Sequence, residues 1–445
     1  MANDNETREP LNLPGGVPDL AGLTVVEQGG VASALGFRAA GVHAGFRAHP
    51  ERLDFALVVA DEPAACAATF TRNVFCAAPV AISREHLDGV SFGTARALAV
   101  NSGCANAATG EVGMRNARDM ARIVADAVGC PSREVVVAST GVIGVHLDVS
   151  LFESGAPLAM TALSREGGAD AARAIMTTDT RPKEFAVTFT VGGSDSSEDG
   201  VAADSAYAGR TFTVGGMAKG SGMIMPNMAT MIACITTDAP IDAPVLHEAL
   251  VHAVSRSFNK VTVDSDTSTN DCCFAFASGA AAPGAQPFDP DGPAFAKFEH
   301  ALSAVCETLA RAMAADGEGA TRLITVRVAG ALDDEEADMA ARTIANSPLT
   351  KTAIFGHDAN WGRIAAAAGR SGAHFRQENV DIDIMGMPVL RGGLPVPFDE
   401  EEALRRFERP EIDIDVDLGA GTSSTTIWTC DFSHEYVTIN GDYRT

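Results

Sequence analysis

The residues best suited to chemistry lie in one stretch, Lys219-Gly-Ser-Gly-Met-Ile-Met-Pro-Asn-Met-Ala-Thr-Met231. A lysine precedes a flexible Gly-x-Gly, a Pro-Asn turn and a small alanine. The chain then enters the apolar run Thr230-Met-Ile-Ala-Cys-Ile235, which predicts a buried strand. A threonine hydroxyl alone is a poor nucleophile. As the first residue of a chain it gains an α-amine with a pKa of about 8, against roughly 10 for a lysine amine, and that amine can serve as the base for the same residue's hydroxyl. Thr230 suits an enzyme that cuts its own backbone before this residue. The plainer reading, a threonine opening a core strand behind a glycine loop, also stands, because such motifs are rarely specific.

Acyl chemistry needs donors aimed at a developing oxyanion. Thr140-Gly141 is a candidate, since it follows the compact run Val135-Val-Val-Ala-Ser139 and a glycine lets backbone N–H groups come close. The segment 139–144 also reads as a Gly-punctuated turn. In Val263-Asp-Ser-Asp-Thr-Ser-Thr-Asn-Asp271 an EF-hand loop is excluded: its sixth position holds Thr269 and its twelfth Ala275. A Mg²⁺-dependent phosphatase with Asp264 as nucleophile and Asp266 beside it is a competitor, although no paired-aspartate motif follows a later strand. A loop held by its own side-chain–backbone hydrogen bonds is the plainer account. Glu318, between Gly317 and Gly319, could receive an amine or lie in a turn. Gly419-Ala-Gly421 lacks the third glycine of a dinucleotide loop, and the histidines show no metal spacing.

These residues must be positioned by a chain of 445 residues, long enough for about three domains or two large lobes. Hydrophobic residues make up 46% and charged ones 20%, as in folded proteins. With 33 basic and 58 acidic side chains the net charge is −25, which argues against binding nucleic acid or an anionic membrane. The nine cysteines, odd in number and without Cys-x-x-Cys, read as buried free thiols of a reducing compartment. The polar, acidic N-terminus is neither secretory nor transit-like, and no apolar run is long enough to span a bilayer. A cytoplasmic protein is expected.

Residues 1–20 read as a loose leader. Strands are predicted at 55–60, 97–100, 135–139, 185–191, 323–328, 380–385, 412–416, 425–429 and 436–439, and helices at 114–128, 157–175, 242–256, 295–315, 334–345 and 364–368. The stretch 192–200 reads as an exposed hairpin loop. Strict alternation in Ile412-Asp-Ile-Asp-Val-Asp417 marks a solvated sheet face rather than a metal site. Strands interleaved with helices indicate an α/β or α+β class.

Taken together, the chain resembles the glutamate N-acetyltransferase / ornithine acetyltransferase family of arginine biosynthesis, from about residue 20 to the end. The resemblance rests on Asn101-Ser-Gly-Cys-Ala-Asn-Ala-Ala-Thr-Gly110, Ser139-Thr-Gly-Val-Ile-Gly144, Met176-Thr-Thr-Asp-Thr180, Lys219-Gly-Ser-Gly-Met223 with Pro226-Asn-Met-Ala-Thr-Met231, and Val261–Asp271. It continues through Gly317-Glu-Gly-Ala-Thr321, Lys351-Thr-Ala-Ile-Phe-Gly356 with Asn360-Trp-Gly-Arg363, and Asn440-Gly-Asp-Tyr-Arg-Thr445.

The resemblance implies a layered αββα-type α/β sandwich of the self-cleaving aminopeptidase / ornithine acetyltransferase-like architecture. It implies cleavage between Ala229 and Thr230, giving an α segment 21–229 behind the leader and a β segment 230–445, assembled as α₂β₂. It also implies ping-pong transfer: Thr230 takes acetyl from N-acetylornithine, and glutamate collects it as N-acetylglutamate. Thr140 and Gly141 fall at the family's oxyanion hole. Thr177, Lys219, Thr230, Glu318, Asn440 and Thr445 fall at its substrate contacts. No metal or organic cofactor is implied, and no residue decides whether acetyl-CoA is a second donor. His357, Ala359, Ser265 and Gly441 depart from the usual residues, and the 192–206 loop is longer than typical. These bear on substrate range rather than on the reaction class. The competing functions are an N-terminal-nucleophile aminopeptidase, the phosphatase, and an acidic binding protein that never cleaves.

Overall fold

A computed structural model describes residues 18–192, 207–225 and 231–442. Most of the leader, the expected hairpin tip, Ala229 and Thr230, and Thr445 lie outside the described residues.

Nine strands form the first sheet among the described residues: β1 (Leu23–Val25), β2 (Phe37–Val42), β3 (Phe55–Phe70), β4 (Phe92–Cys104), β5 (Val135–Val142), β6 (Lys183–Thr190), β7 (Thr211–Lys219), β8 (Ile232–Thr237) and β9 (Cys272–Ala277). Their order is β1-β6-β7-β8-β9-β3-β4-β5, with β2 on the outer half of β3. The long β3 joins two halves. Phe55–Val59 pairs with β2 and β4; after a register shift between Val59 and Ala64, Ala65–Phe70 pairs with β9. The helices are α1 (Ala78–His86), α2 (Gly110–Val128), α3 (Ser150–Ala162), α4 (Gly168–Ala174), α5 (Ala243–Arg256), α6 (Pro293–Ala315), α7 (Asp334–Ala345), α8 (Pro348–Phe355), α9 (Trp361–Gly369), α10 (Glu400–Phe407) and α11 (His434–Asp442).

The central strands are apolar at nearly every position because they are buried on both faces. Ala56, Val58, Leu98, Val100 and Val136 share one core with Met217, Cys234, Phe274 and Phe276 of the other half. The alternate residues Phe55, Leu57, Val59, Val135 and Val137 pack against Met120 and Val124 of α2 and Phe152 of α3. On the other half, Val214, Ala233, Ile235 and Ala275 pack against Leu250 and Val254 of α5 and Val305, Leu309 and Met313 of α6.

The second sheet comprises β10 (Leu323–Ala331), β11 (Asp381–Ile384), β12 (Met387–Arg391), β13 (Leu394–Pro395), β14 (Glu411–Asp417) and β15 (Ser423–Cys430), in the order β13-β12-β11-β14-β10-β15. Its inner face packs Val326, Ile382, Ile412 and Ile414 against Ala341 and Ile344 of α7, Ile364 of α9 and Phe407 of α10. Its aspartates point the other way, as the alternation predicted. There Arg327 bridges Asp413 at 2.7 Å and Asp415 at 3.1 Å, and Arg391 meets Asp383 at 2.6 Å.

Three local expectations are corrected. The helix expected over 157–175 is two helices, α3 and α4. Between them Ser164 exchanges backbone hydrogen bonds with Ala39 at 2.9 and 3.1 Å, which draws the chain out of helical geometry. The turn expected after Ser139 is delayed, because β5 runs on to Val142 beside Ser102–Cys104. The strand expected at 436–439 is helical and belongs to α11. Ser433 Oγ accepts from Glu435 N at 3.1 Å and starts that helix, overriding the β-branched residues. All nine cysteines are free; seven are buried, and Cys76 and Cys130 are half-buried. No helix among the described residues is long and apolar enough to cross a membrane.

Candidate active site

A cavity of about 180 Å³ is lined by Thr140, Gly141, Thr177, Lys219, Glu318 and Asn440, all six of the predicted site residues that are described. They come from the end of β5, the segment after α4, the end of β7, the turn after α6, and α11. Gly222 and Met223 also line it.

Gly141 has φ +130°, and a Cβ there would lie 2.4 Å from the carbonyl carbon of Gly103. Only glycine allows β5 to run this close to β4. Asn270, buried on the same cavity wall, donates its Nδ2 to the carbonyls of Ala105 at 2.6 Å and Ser139 at 2.9 Å. The Ser139 carbonyl shares its peptide plane with the Thr140 N–H, so this bond orients the expected oxyanion donors. Ser139 Oγ in turn donates to Asn101 Oδ1 at 2.6 Å. Sequence reasoning passed over Asn270. Its only signal was an amide just ahead of an apolar strand.

Lys219 is 5% exposed. Burial pushes its ammonium below the ordinary lysine range and Lys183 adds to that, while Asp179, Asp271 and Glu318 pull it back up. The buried Glu318 carboxylate packs against Gly222, where a Cβ would lie 2.3 Å from it. Asn440 Nδ2 donates to Glu318 Oε2 at 2.8 Å. The Thr177 N–H donates to Asp179 Oδ2 at 3.0 Å, and its carbonyl accepts from Arg52 at 3.0 Å.

The structure gives Asp264 a different role from the phosphatase reading. Its carboxylate accepts from the N–H groups of Met223 at 2.5 Å and Ile224 at 2.8 Å. Both oxygens hold the turn that leads away from Lys219, and Asp266 beside it is exposed. Burial still pushes the Asp264 carboxyl up, against these hydrogen bonds.

The cavity thus offers a cation, an anion and a strand end shaped for close backbone approach. That is the equipment for holding an amino acid by its charged ends beside an acyl carbonyl. The model of the ArgJ family matches residues 38–445. The chain belongs to the ArgJ family. An arginine biosynthesis bifunctional protein ArgJ of a Synechococcus species is 46% identical over 426 residues, covering 94% of this chain and 98% of that one. Its namesake from Symbiobacterium thermophilum is 47% identical over 418 residues, covering 94% and 99%. A crystal structure of the Bacillus halodurans ArgJ protein, 45% identical, covers 47% of this chain and 98% of its own, with a TM-score of 0.46.

Proposed function

We propose that the chain cuts itself between Ala229 and Thr230 and then carries acetyl groups on the Thr230 hydroxyl. As a member of the ArgJ family it is an ArgJ-type bifunctional acetyltransferase of arginine biosynthesis. In our reading the Thr230 α-amine takes the hydroxyl proton as Oγ attacks the acetyl carbonyl of N-acetylornithine. Thr140 and Gly141 stabilise the oxyanion. The amide C–N bond breaks, the proton passes to the departing nitrogen, and ornithine leaves. The neutral amine of glutamate then attacks the acetyl carbonyl, the ester C–O bond to Thr230 breaks, the proton given up by the amine returns to Thr230 Oγ, and N-acetylglutamate leaves.

Lys219 holds a substrate carboxylate and Glu318 the cationic end of ornithine. Thr177, Asn440 and Thr445 complete the contacts. The observation that carries this reading is the convergence of Thr140, Gly141, Thr177, Lys219, Glu318 and Asn440, from five separate parts of the chain, on one cavity. We extend the proposal to a four-layer αββα arrangement, to segments 21–229 and 230–445, to an α₂β₂ assembly and to acetyl-CoA as a second donor.

Denaturing electrophoresis with N-terminal sequencing tests the cleavage: two fragments, one beginning at Thr230, are expected. Incubation with N-acetylornithine and glutamate should yield ornithine and N-acetylglutamate. Release of acetate instead would make the protein a hydrolase. Thr230→Ala should leave one intact chain and no transfer. Formation of N-acetylglutamate from acetyl-CoA and glutamate alone tests the second donor, and sedimentation tests the assembly.

A further inference from the structure

Three of the cavity residues are anchored by a group that does not itself line the cavity. Lys183 is fully buried, and its Nζ lies 2.6 Å from Asp179 Oδ1 and 2.7 Å from Asp316 Oδ2. Both aspartates are buried as well. Each carboxylate then binds backbone beside the cavity. Asp179 accepts from Thr177 N at 3.0 Å and from Gly220 N, the residue after Lys219, at 2.7 Å. Asp316 accepts from Thr180 N at 3.1 Å and from the Thr180 hydroxyl, and two residues later comes Glu318. Three loops from distant parts of the chain therefore meet at one ion triad. Arg181 also reaches Asp316, at 3.9 Å, so Asp316 is shared by Lys183 and Arg181, while Asp179 is shared by Lys183 and the backbone beside Lys219. Lys219 forms no salt bridge of its own among the described residues.

We propose that Asp179, Lys183 and Asp316 form a positioning triad that sets the mutual spacing of Thr177, Lys219 and Glu318 and supplies the counter-charge of the Lys219 ammonium. The proposal rests on the reading of Lys219 as the holder of a substrate carboxylate. Among the described residues, Asp179, Lys183, Asp271 and Glu318 act on Lys219. Asp179 favours its charge and Lys183 opposes it. Removing the negative member should therefore make Lys219 lose its proton at lower pH, and removing Lys183 at higher pH. A purely structural role would not produce shifts of opposite sign.

The test uses glutarate, a dicarboxylate without an amine, titrated calorimetrically into the full-length protein between pH 7 and 10.5. Wild-type binding should weaken as pH rises through the titration of Lys219. In Asp179→Asn that weakening should begin at lower pH. In the double variant Lys183→Met/Asp316→Asn, which keeps the net charge of the cluster, it should begin at higher pH. At the midpoint of the wild-type curve the two variants should differ by about tenfold or more in Kd. If Asp179→Asn does not fold, the charge-neutral double variant alone decides, by an upward shift or its absence. Coincident curves, shifts in the same direction, or a wild type that transfers acetyl without binding glutarate would overturn the triad's role. Acetyl transfer is assayed on the wild type in parallel. If transfer is absent the proposed function fails, whereas opposed glutarate shifts would still establish the triad.

Discussion

The buried polar side chains decide what the cavity can do. Asn270 is the sharpest case, because one amide group serves the carbonyl of Ser139 on β5, the strand that carries Thr140 and Gly141, and that of Ala105 just past β4. Asn270→Ala leaves both carbonyls without that donor, at a cost of about 1–3 kcal/mol. It also frees the Ser139–Thr140 peptide to tilt. We expect kcat to fall by about 10²-fold, the scale of losing one oxyanion donor, with KM changing little. Steady-state kinetics with N-acetylornithine and glutamate check this; a rise in KM at constant kcat would place Asn270 in substrate binding instead. Glu184 makes a second prediction. Burial pushes its carboxyl up to about 7, with Arg173 opposing and Asp170 adding to the rise. An acid raised in the folded state binds its proton more tightly there than when unfolded, so stability is lost as pH climbs from 4.5 through about 7 and levels off above that. Glu184→Gln should accordingly leave Tm nearly unchanged at pH 5 and raise it at pH 8. Equal effects at both values would sink the argument. At this scale the sequence showed residue types but not partnerships. Lys219 stood out ahead of a Gly-x-Gly, and Glu318 between two glycines. Lys183 gave no sign, since one of its two partners, Asp316, is 133 residues away.

Elements were legible where one physical signal dominated. Apolar runs short enough for strands became β5 and β8, and the helical spacing of 334–345 reproduced α7 to the residue. The failures share a cause, namely a tertiary contact that outbids local preference. Ala39 interrupts the expected 157–175 helix, and the Gly103–Gly141 approach prolongs β5. In 436–439 the β-branched Val437, Thr438 and Ile439 suggested a strand, yet no sheet edge receives them. They form α11, which buries no residue and is held at its rim. Ser433 Oγ donates to the Gly319 carbonyl at 2.6 Å, Tyr436 stacks on Phe432 at 4.7 Å, and Asn440 reaches Glu318. An element with no core contribution can be removed without unfolding the rest. A chain ending at Ser433 should keep its circular dichroism and lose only a few degrees of Tm. KM for N-acetylornithine should rise about tenfold or more, because Glu318 loses the amide that orients it. A truncated chain that fails to fold would show that α11 is structural rather than part of the site wall.

Across the whole molecule, the proposed cut falls inside a folded unit rather than between two. It separates β7 from β8, which are neighbours in the first sheet, paired from Val214↔Thr237 to Lys219↔Ile232. The β segment also supplies β9, which pairs with β3 of the α segment from Ala65↔Ala277 to Phe70↔Cys272. Both segments furnish the core between the sheet halves: Val58, Leu98 and Met217 from one, Cys234, Phe274 and Phe276 from the other. Burying side chains of this size stabilises by about 1.5–3 kcal/mol each, so the shared core is enough to hold the pieces together without the covalent bond. The two fragments should therefore elute together from a sizing column in buffer, and run apart only after denaturation. Thr230→Ala, still one chain, should elute at the same volume as the cleaved protein and give the same circular dichroism, because the cut removes no strand pairing described here. Fragments that separate in buffer would show that the ladders β7–β8 and β3–β9 do not carry the joint. The cavity could then not survive cleavage either, since Thr177 and Lys219 lie on one piece and Glu318 and Asn440 on the other.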